Sequence, residues 1–169
     1  MIYLVRHAHA GHRTTAPGDE HRQLSAKGRR EALTLSRWLV PGAGGEIYSS
    51  PYRRCVATVE LLAAPRDAEI IISEALEEGA ATEPLLELLT TVPDESVLCT
   101  HGDMLRKVIA ALEQQGTVRH RRAAWEKGTV WALARDGTQF PHAVAIAPKA
   151  SEKQQRLEEL RSLSRQLAA

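Results

Sequence analysis

Short apolar runs, each stopped by polar or charged residues, alternate along this chain with stretches of helical periodicity. Ile2, Leu4 and Val5 make the first run, which ends at Arg6-His7. Glu46-Ile47-Tyr48 precedes Ser49-Ser50-Pro51-Tyr52-Arg53-Arg54-Cys55, Ile70-Ile71-Ile72 is a β-branched run, and Ser96-Val97-Leu98-Cys99 precedes Thr100-His101-Gly102-Asp103. Runs of this length and composition read as buried strands. Between them, Ser25 caps a helix that reaches about Val40 and stops at Pro41-Gly42, with Leu33, Leu35, Trp38 and Leu39 available to its buried side. Ser50 caps a second helix, with Pro51 at its first position, that runs to about Ala63 before Pro65. Further helices are predicted over 84–91 and over 103–115, the latter ended by Gly116. Strands over 129–134 and 140–147 flank Asp136-Gly137, the strongest local hairpin signal.

Alternating strands and helices predict an α/β fold in three layers: a mainly parallel, mixed sheet with helices on both faces and an antiparallel hairpin at one edge. The length of 169 residues suits one domain over 1–150. The tail over 151–169 lacks glycine and proline and repeats Leu157, Leu160, Leu163 and Leu167, which predicts an amphipathic helix packed on the domain or on a partner.

Charge and composition narrow the partners. A net charge of +1 with 25% charged residues gives no surface-wide basic field, so neither a nucleic acid polymer nor a membrane is an expected partner. No apolar stretch approaches a membrane span, and Arg6 interrupts the first run too early for a signal peptide, so a cytoplasmic location is expected. Cys55 and Cys99 read as small buried residues and not as a disulfide or metal pair.

The candidate chemistry lies where the runs stop. Strands of an open α/β sheet place ligands at their carboxyl ends, and three such ends here carry Arg6-His7, Arg53-Arg54 and His101. A guanidinium suits an anionic oxygen; an imidazole beside it can act as base, donor, metal ligand or nucleophile. Arg53 and Arg54 are equivalent on spacing alone. The loops over 9–23 and 116–128, rich in arginine and histidine, are candidates for substrate selection.

Arg6-His7-Ala8-x-Ala10-Gly11, Ser50-x-x-x-Arg54-Cys55 and His101-Gly102, in that order, resemble the histidine phosphatase superfamily (phosphoglycerate mutase-like) across the body of the chain. Gly18-Asp19-Glu20 and Leu24-Ser25-x-x-Gly28-Arg29 are most similar to its small bacterial phosphohistidine phosphatase branch, and to the phosphatase domain fused to a Nudix domain in some actinobacterial proteins. Ala8 stands for the motif glycine and Cys55 for its alanine; both are small. The resemblance implies a metal-independent phosphatase that needs no cofactor. His7 would be the nucleophile that becomes a phosphohistidine, Arg6, Arg54 and His101 would bind the phosphoryl group, and His101 would be the second imidazole of the reaction. It also implies a general acid after the Ile70-Ile72 strand, where Glu78 matches and Glu77 remains open, and some members of that branch lack the acid. Substrates would be phosphohistidine on a protein, or a small phosphomonoester or nucleotide phosphate, acted on by a monomer or weak dimer. The chain is shorter than the mutase branch requires.

Two other classes fit parts of the pattern. His7-Ala8-His9 with His12 has the His-x-His form of a metallohydrolase, although Arg6 would repel a metal. A binding module that keeps the pocket without turnover would share Arg6, His7, Arg54 and His101. Asp103 reads first as an acidic residue at a helix start.

Overall fold

The computed structural model of the protein describes residues 1–13, 18–39, 44–120, 124–147 and 161–162. Seven strands, β1 (Ile2–Arg6), β2 (Ile47–Ser49), β3 (Ile70–Ile72), β4 (Val97–Thr100), β5 (Val118–His120), β6 (Val130–Asp136) and β7 (Gln139–Ile146), form one sheet in the order β3-β2-β4-β1-β6-β7-β5. The first four strands in that order are parallel, β6 is antiparallel to both β1 and β7, and β5 is parallel to β7. Four helices cover the sheet: α1 (Ala26–Leu39), α2 (Arg53–Ala63), α3 (Thr82–Thr91) and α4 (Gly102–Gln114).

The side-chain alternation of each strand feeds two cores. Tyr3 and Val5 of β1, Val97 and Cys99 of β4, and Val130 and Ala132 of β6 pack with Leu35 and Leu39 of α1 and Val59 and Leu62 of α2. Ile2 and Leu4, Leu98, and Trp131 and Leu133 pack on the other face with Leu85 and Leu89 of α3 and with Leu105, Val108 and Leu112 of α4. Both faces are therefore covered, which explains why β1 and β4 read as continuous apolar runs. No helix among the described residues is long and apolar enough to cross a membrane.

Several elements differ from the sequence expectation. The hairpin of β6 and β7 lies inside the sheet, because β6 pairs with β1 and the three-residue β5 caps β7 as the edge. Val-Arg-His carries no apolar alternation, and its residues are mostly exposed, so β5 left no signal to read. Asp136 pairs with Gln139, which shifts the turn to Gly137-Thr138. Leu33 faces solvent, and α1 instead buries Gly28, Ala32, Leu35, Ser36 and Leu39, with Trp38 half-buried. α2 starts at Arg53, not at Ser50-Pro51; the Ser50 hydroxyl lies 2.9 Å from His101 Nε2 and accepts the Tyr52 N–H only at 3.4 Å. β3 is the other edge, and Ile72 is exposed. Most of the predicted tail helix, and Val40 to Gly42, lie outside the described residues. The described Arg161 is helical and donates from Nη2 to the Tyr3 hydroxyl, at 3.1 Å.

Ser25 does cap α1: its Oγ accepts the Gly28 N–H at 3.1 Å and pairs with His9 Nδ1 at 2.7 Å. This seats the helix against the chain that leaves β1, and a Cβ on Gly28 would come within 1.9 Å of the His9 carbonyl oxygen. Backbone cannot step aside as a flexible side chain can. Gly28→Ala is therefore expected to destabilise the protein by about 2 kcal/mol, lowering Tm by roughly 4–8 °C. Gly44→Ala, whose Cβ would meet nothing within 4 Å, should leave Tm nearly unchanged in the same thermal unfolding experiment.

Candidate active site

The carboxyl end of β1 is held from both sides. His7 N–H donates to the Thr100 carbonyl at the end of β4 (2.9 Å), Arg6 N–H donates to the Thr129 carbonyl (2.9 Å), and Gly128 N–H reaches the carbonyls of Arg6 and His7. Ala8 N–H donates to Thr58 Oγ1 of α2 at 2.9 Å. The Arg6-His7 peptide is thereby fixed before any ligand arrives.

His7 is 5% exposed, and its Nδ1 lies 2.8 Å from its neighbour's carbonyl, Ala8 O. A carbonyl only accepts, so Nδ1 carries the proton and Nε2 keeps its lone pair. Burial, followed by the neighbouring His101, Arg54 and Arg6, pushes the imidazole pKa down to about 2 against the opposing pull of the Ala8 carbonyl. Edge-on to this ring, at 5.3 Å between centroids, stands His101. It is also buried; its Nε2 lies 2.9 Å from Ser50 Oγ and 3.4 Å from Cys55 Sγ, and its Nδ1 accepts from Arg54 Nη2 at 3.3 Å.

Arg54 is wholly buried in the first turn of α2. Its Nη1 donates to the Asp19 carbonyl (2.9 Å) and pairs with Asp19 Oδ2 (3.0 Å), while Nη2 pairs with Glu78 Oε2 at 2.7 Å. Arg53 turns outward to Glu60 and Gln23, which separates the two arginines that spacing left equivalent. Arg6 donates from Nη1 to the Trp125 carbonyl and lies flat on the start of α4, where a Cβ on Gly102 would fall 2.7 Å from its Cζ. Both Arg6 Nε and Arg54 Nε are buried without a partner among the described residues.

Glu78 thus belongs to the cluster, and its Oε1 also faces Arg13 Nη1 at 3.4 Å. Glu77 lines a surface groove with Tyr52, Arg53 and Val56 instead. The His-x-His reading gains no support: His9 Nδ1 is committed to Ser25, His12 is exposed, and no three metal-ligating side chains converge among the described residues.

Sequence reasoning missed two charged participants. Asp19, in the short 3-10 turn Asp19–His21, braces both Arg22 and Arg54, and its carboxyl is held below its ordinary range by the Arg22 bond first. Lys127 sits one residue before the Gly128 that grips Arg6 and His7; burial, then Arg22, Arg6 and Arg54, lower its pKa. Both residues lie in the loops over 9–23 and 116–128 that composition marks, and Asp19 also lies in the Gly18-Asp19-Glu20 motif, but nothing in the sequence gives either of them a role beside the arginines.

The state of His7 makes stability depend on pH. The unfolded imidazole takes a proton near its ordinary 6.5 while the folded one stays neutral to about 2, so acidification through that window favours the unfolded chain. Between pH 7 and 5.5 the wild type should lose about 1 kcal/mol more unfolding free energy than His7→Asn, as urea titrations at the two pH values would measure. Equal losses would show that His7 is not held neutral.

Known proteins are similar to this chain in sequence and in fold. The description "Histidine phosphatase superfamily (branch 1)" matches residues 2–84, which include Arg6, His7, Arg54 and Glu78. An 8-oxo-(d)GTP phosphatase of Mycolicibacterium smegmatis is 29% identical over 155 residues, covering 87% of this chain and 48% of its own length, so the chain spans about half of that relative. Among solved structures, the protein histidine phosphatase SixA complexed with tungstate superposes with a TM-score of 0.68 at 17% identity, covering 87% of this chain and 96% of that one. A phosphoserine phosphatase mutant from Entamoeba histolytica, in complex with phosphoserine, superposes with a TM-score of 0.59 at 15% identity, covering 86% and 94%. At such identities the structures speak for the fold alone. The matched region that holds Arg6, His7 and Arg54, together with the shared fold, makes this chain similar to the histidine phosphatase superfamily.

Proposed function

We propose that this protein is a metal-independent phosphatase working through a phosphohistidine on His7, with a small phosphomonoester or a nucleotide phosphate as substrate. The observation that carries this reading is the His7 ring itself, anchored through Nδ1 to Ala8 O, with its free nitrogen among Arg6, Arg54 and His101. A transferring phosphoryl group needs an in-line nucleophile and fixed positive donors around its equatorial oxygens. Nε2 attacks phosphorus as the bond to the leaving oxygen breaks; with the substrate phosphate taking over Arg54, Glu78 leaves its ion pair, enters the step protonated and gives that proton to the leaving oxygen. Water then attacks the phosphohistidine as the P–N bond breaks, its proton returning to the Glu78 carboxylate, which releases phosphate and restores the imidazole. Arg6 and Arg54 are suited to phosphate oxygens because their planar N–H donors stay charged at working pH.

Phosphohistidine on a protein is the second reading, favoured by the SixA-like fold. It differs in one requirement: an imidazole leaving group departs without a general acid. A carboxyl group at Glu78, inside the cluster, suits an oxygen leaving group once the substrate phosphate replaces it on Arg54 and it carries a proton.

Two experiments test the proposal. Rapid quenching with a labelled phosphomonoester should trap an acid-labile phosphoenzyme in the wild type and none in His7→Ala, and turnover should survive a metal chelator. Turnover lost on chelation and restored by zinc would overturn the mechanism, and a pocket that binds phosphate without forming phosphoenzyme would mark a binding module. For the acid, Glu78→Gln should slow an alkyl phosphate by about 10²- to 10⁴-fold while slowing an activated aryl phosphate far less. Glu77→Gln should spare both. Equal small losses on every substrate in both variants would remove Glu78 from the mechanism and favour the phosphohistidine substrate.

A further inference from the structure

We propose that Asp103 is a positioning residue for the acid, tying the loop that carries Glu78 to the first turn of α4 beside His101. This rests on the reading of Glu78 as the general acid. Asp103 Oδ2 accepts the Gly79 N–H at 2.8 Å, one residue beyond Glu78. Gly79 is exposed and adopts φ +84°, a left-handed conformation that ends the local turn and leaves its N–H free to point at α4.

The rest of the loop is tethered at other points. Thr100 Oγ1 donates to the Leu76 carbonyl at 2.7 Å, which fixes the loop before the two glutamates, and Lys107 Nζ of α4 reaches the Ala80 carbonyl at 3.3 Å after them. Between these two anchors the Asp103 bond grips the backbone beside Glu78 from a side chain of α4. Without it, the carboxylate 2.7 Å from Arg54 would hang on a turn closed by the long Ala80 N–H to Glu77 carbonyl bond, 3.3 Å, with no side chain of α4 gripping Gly79.

Asp103 also faces the other side of the pocket. Its charge acts on Arg6, where it opposes the depressing effects of burial and of Arg106 on that guanidinium. Its Oδ1 is buried with no partner among the described residues. One carboxylate therefore links the residue that would protonate the leaving group to one that would hold the phosphoryl group, and its place two residues after His101 puts both on the frame of α4. A helix-start acid that only complemented the helix dipole would need neither contact.

The test reads a ratio, kcat/KM for an aryl phosphate over kcat/KM for an alkyl phosphate, in the wild type, Asp103→Ala, Asp103→Asn, Glu78→Gln and the Asp103→Ala/Glu78→Gln double variant. Asp103→Ala should raise the ratio by about tenfold or more, since a displacement near 1 Å costs on the order of 10²-fold in a positioned reaction. Asp103→Asn keeps an amide oxygen for the Gly79 N–H and should return the ratio to within about threefold of wild type. In the double variant the ratio should match that of Glu78→Gln alone, because the two residues act through one proton transfer. If Asp103→Ala fails to fold, Asp103→Ser, whose hydroxyl is too short to reach Gly79, should shift the ratio in the same direction. A loss shared equally by both substrates, a drop in Tm with the ratio unmoved, or multiplying effects in the double variant would overturn the proposal. If Glu78→Gln itself leaves the ratio unchanged, the acid assignment fails and this proposal falls with it; if only the Asp103 variants leave it unchanged, this proposal falls alone.

Discussion

A guanidinium with no exposure to water is the constraint around which this site is built. Removing an arginine from solvent costs several kcal/mol unless charge and hydrogen bonds replace its hydration. Arg54 meets that demand from three separate parts of the chain: Asp19 before α1, Glu78 after β3, and His101 after β4. None of these is near it in sequence. Burying one cation therefore fixes the relative positions of the short 3-10 turn, the acid loop and the second imidazole.

The same logic accounts for the neutral state of His7, the proposed nucleophile. Cations on several sides and a dry environment make a protonated His7 unfavourable, and the Ala8 carbonyl selects which nitrogen keeps its hydrogen. Backbone bonds from Thr100, Thr129 and Gly128 hold the peptide that carries Arg6 and His7, so side-chain orientation is inherited from the sheet and the loop after β5. Gly102 completes the arrangement by letting Arg6 lie against α4, a close approach that any Cβ would forbid. Preorganisation of this kind suits phosphoryl transfer, where the protein supplies placement and charge more than bond-making groups.

Cations around the pocket outnumber the carboxylates that answer them. Asp19 and Glu78 answer Arg54 and Arg22, Glu78 also answers Arg13, and Lys127 stands among arginines with Glu31 as its opposing charge. An anion that enters meets a framework already paid for by these carboxylates. The unpartnered Nε atoms of Arg6 and Arg54 show where the pairing is incomplete.

The sequence by itself determined the α/β class, the parallel core of the sheet, and the strand ends at which Arg6-His7, Arg54 and His101 emerge, because apolar runs and caps are local signals of burial and termination. The motif resemblance pointed to Arg54 where spacing alone left it equal to Arg53, and the tertiary structure supplies the physical difference: both lie in the first turn of α2 and just one turns inward to Asp19 and Glu78. It likewise placed Glu78 and not Glu77 against the arginine, moved the hairpin inside the sheet through the β1–β6 pairing, and added β5 at the edge. Ser50 looked like a cap because capping is a local habit, yet its hydroxyl serves His101, 51 residues away. Pairings at that separation depend on how the layers stack, and short polar segments such as Val118–His120 and Gly18-Asp19-Glu20 carry no periodicity that could announce them.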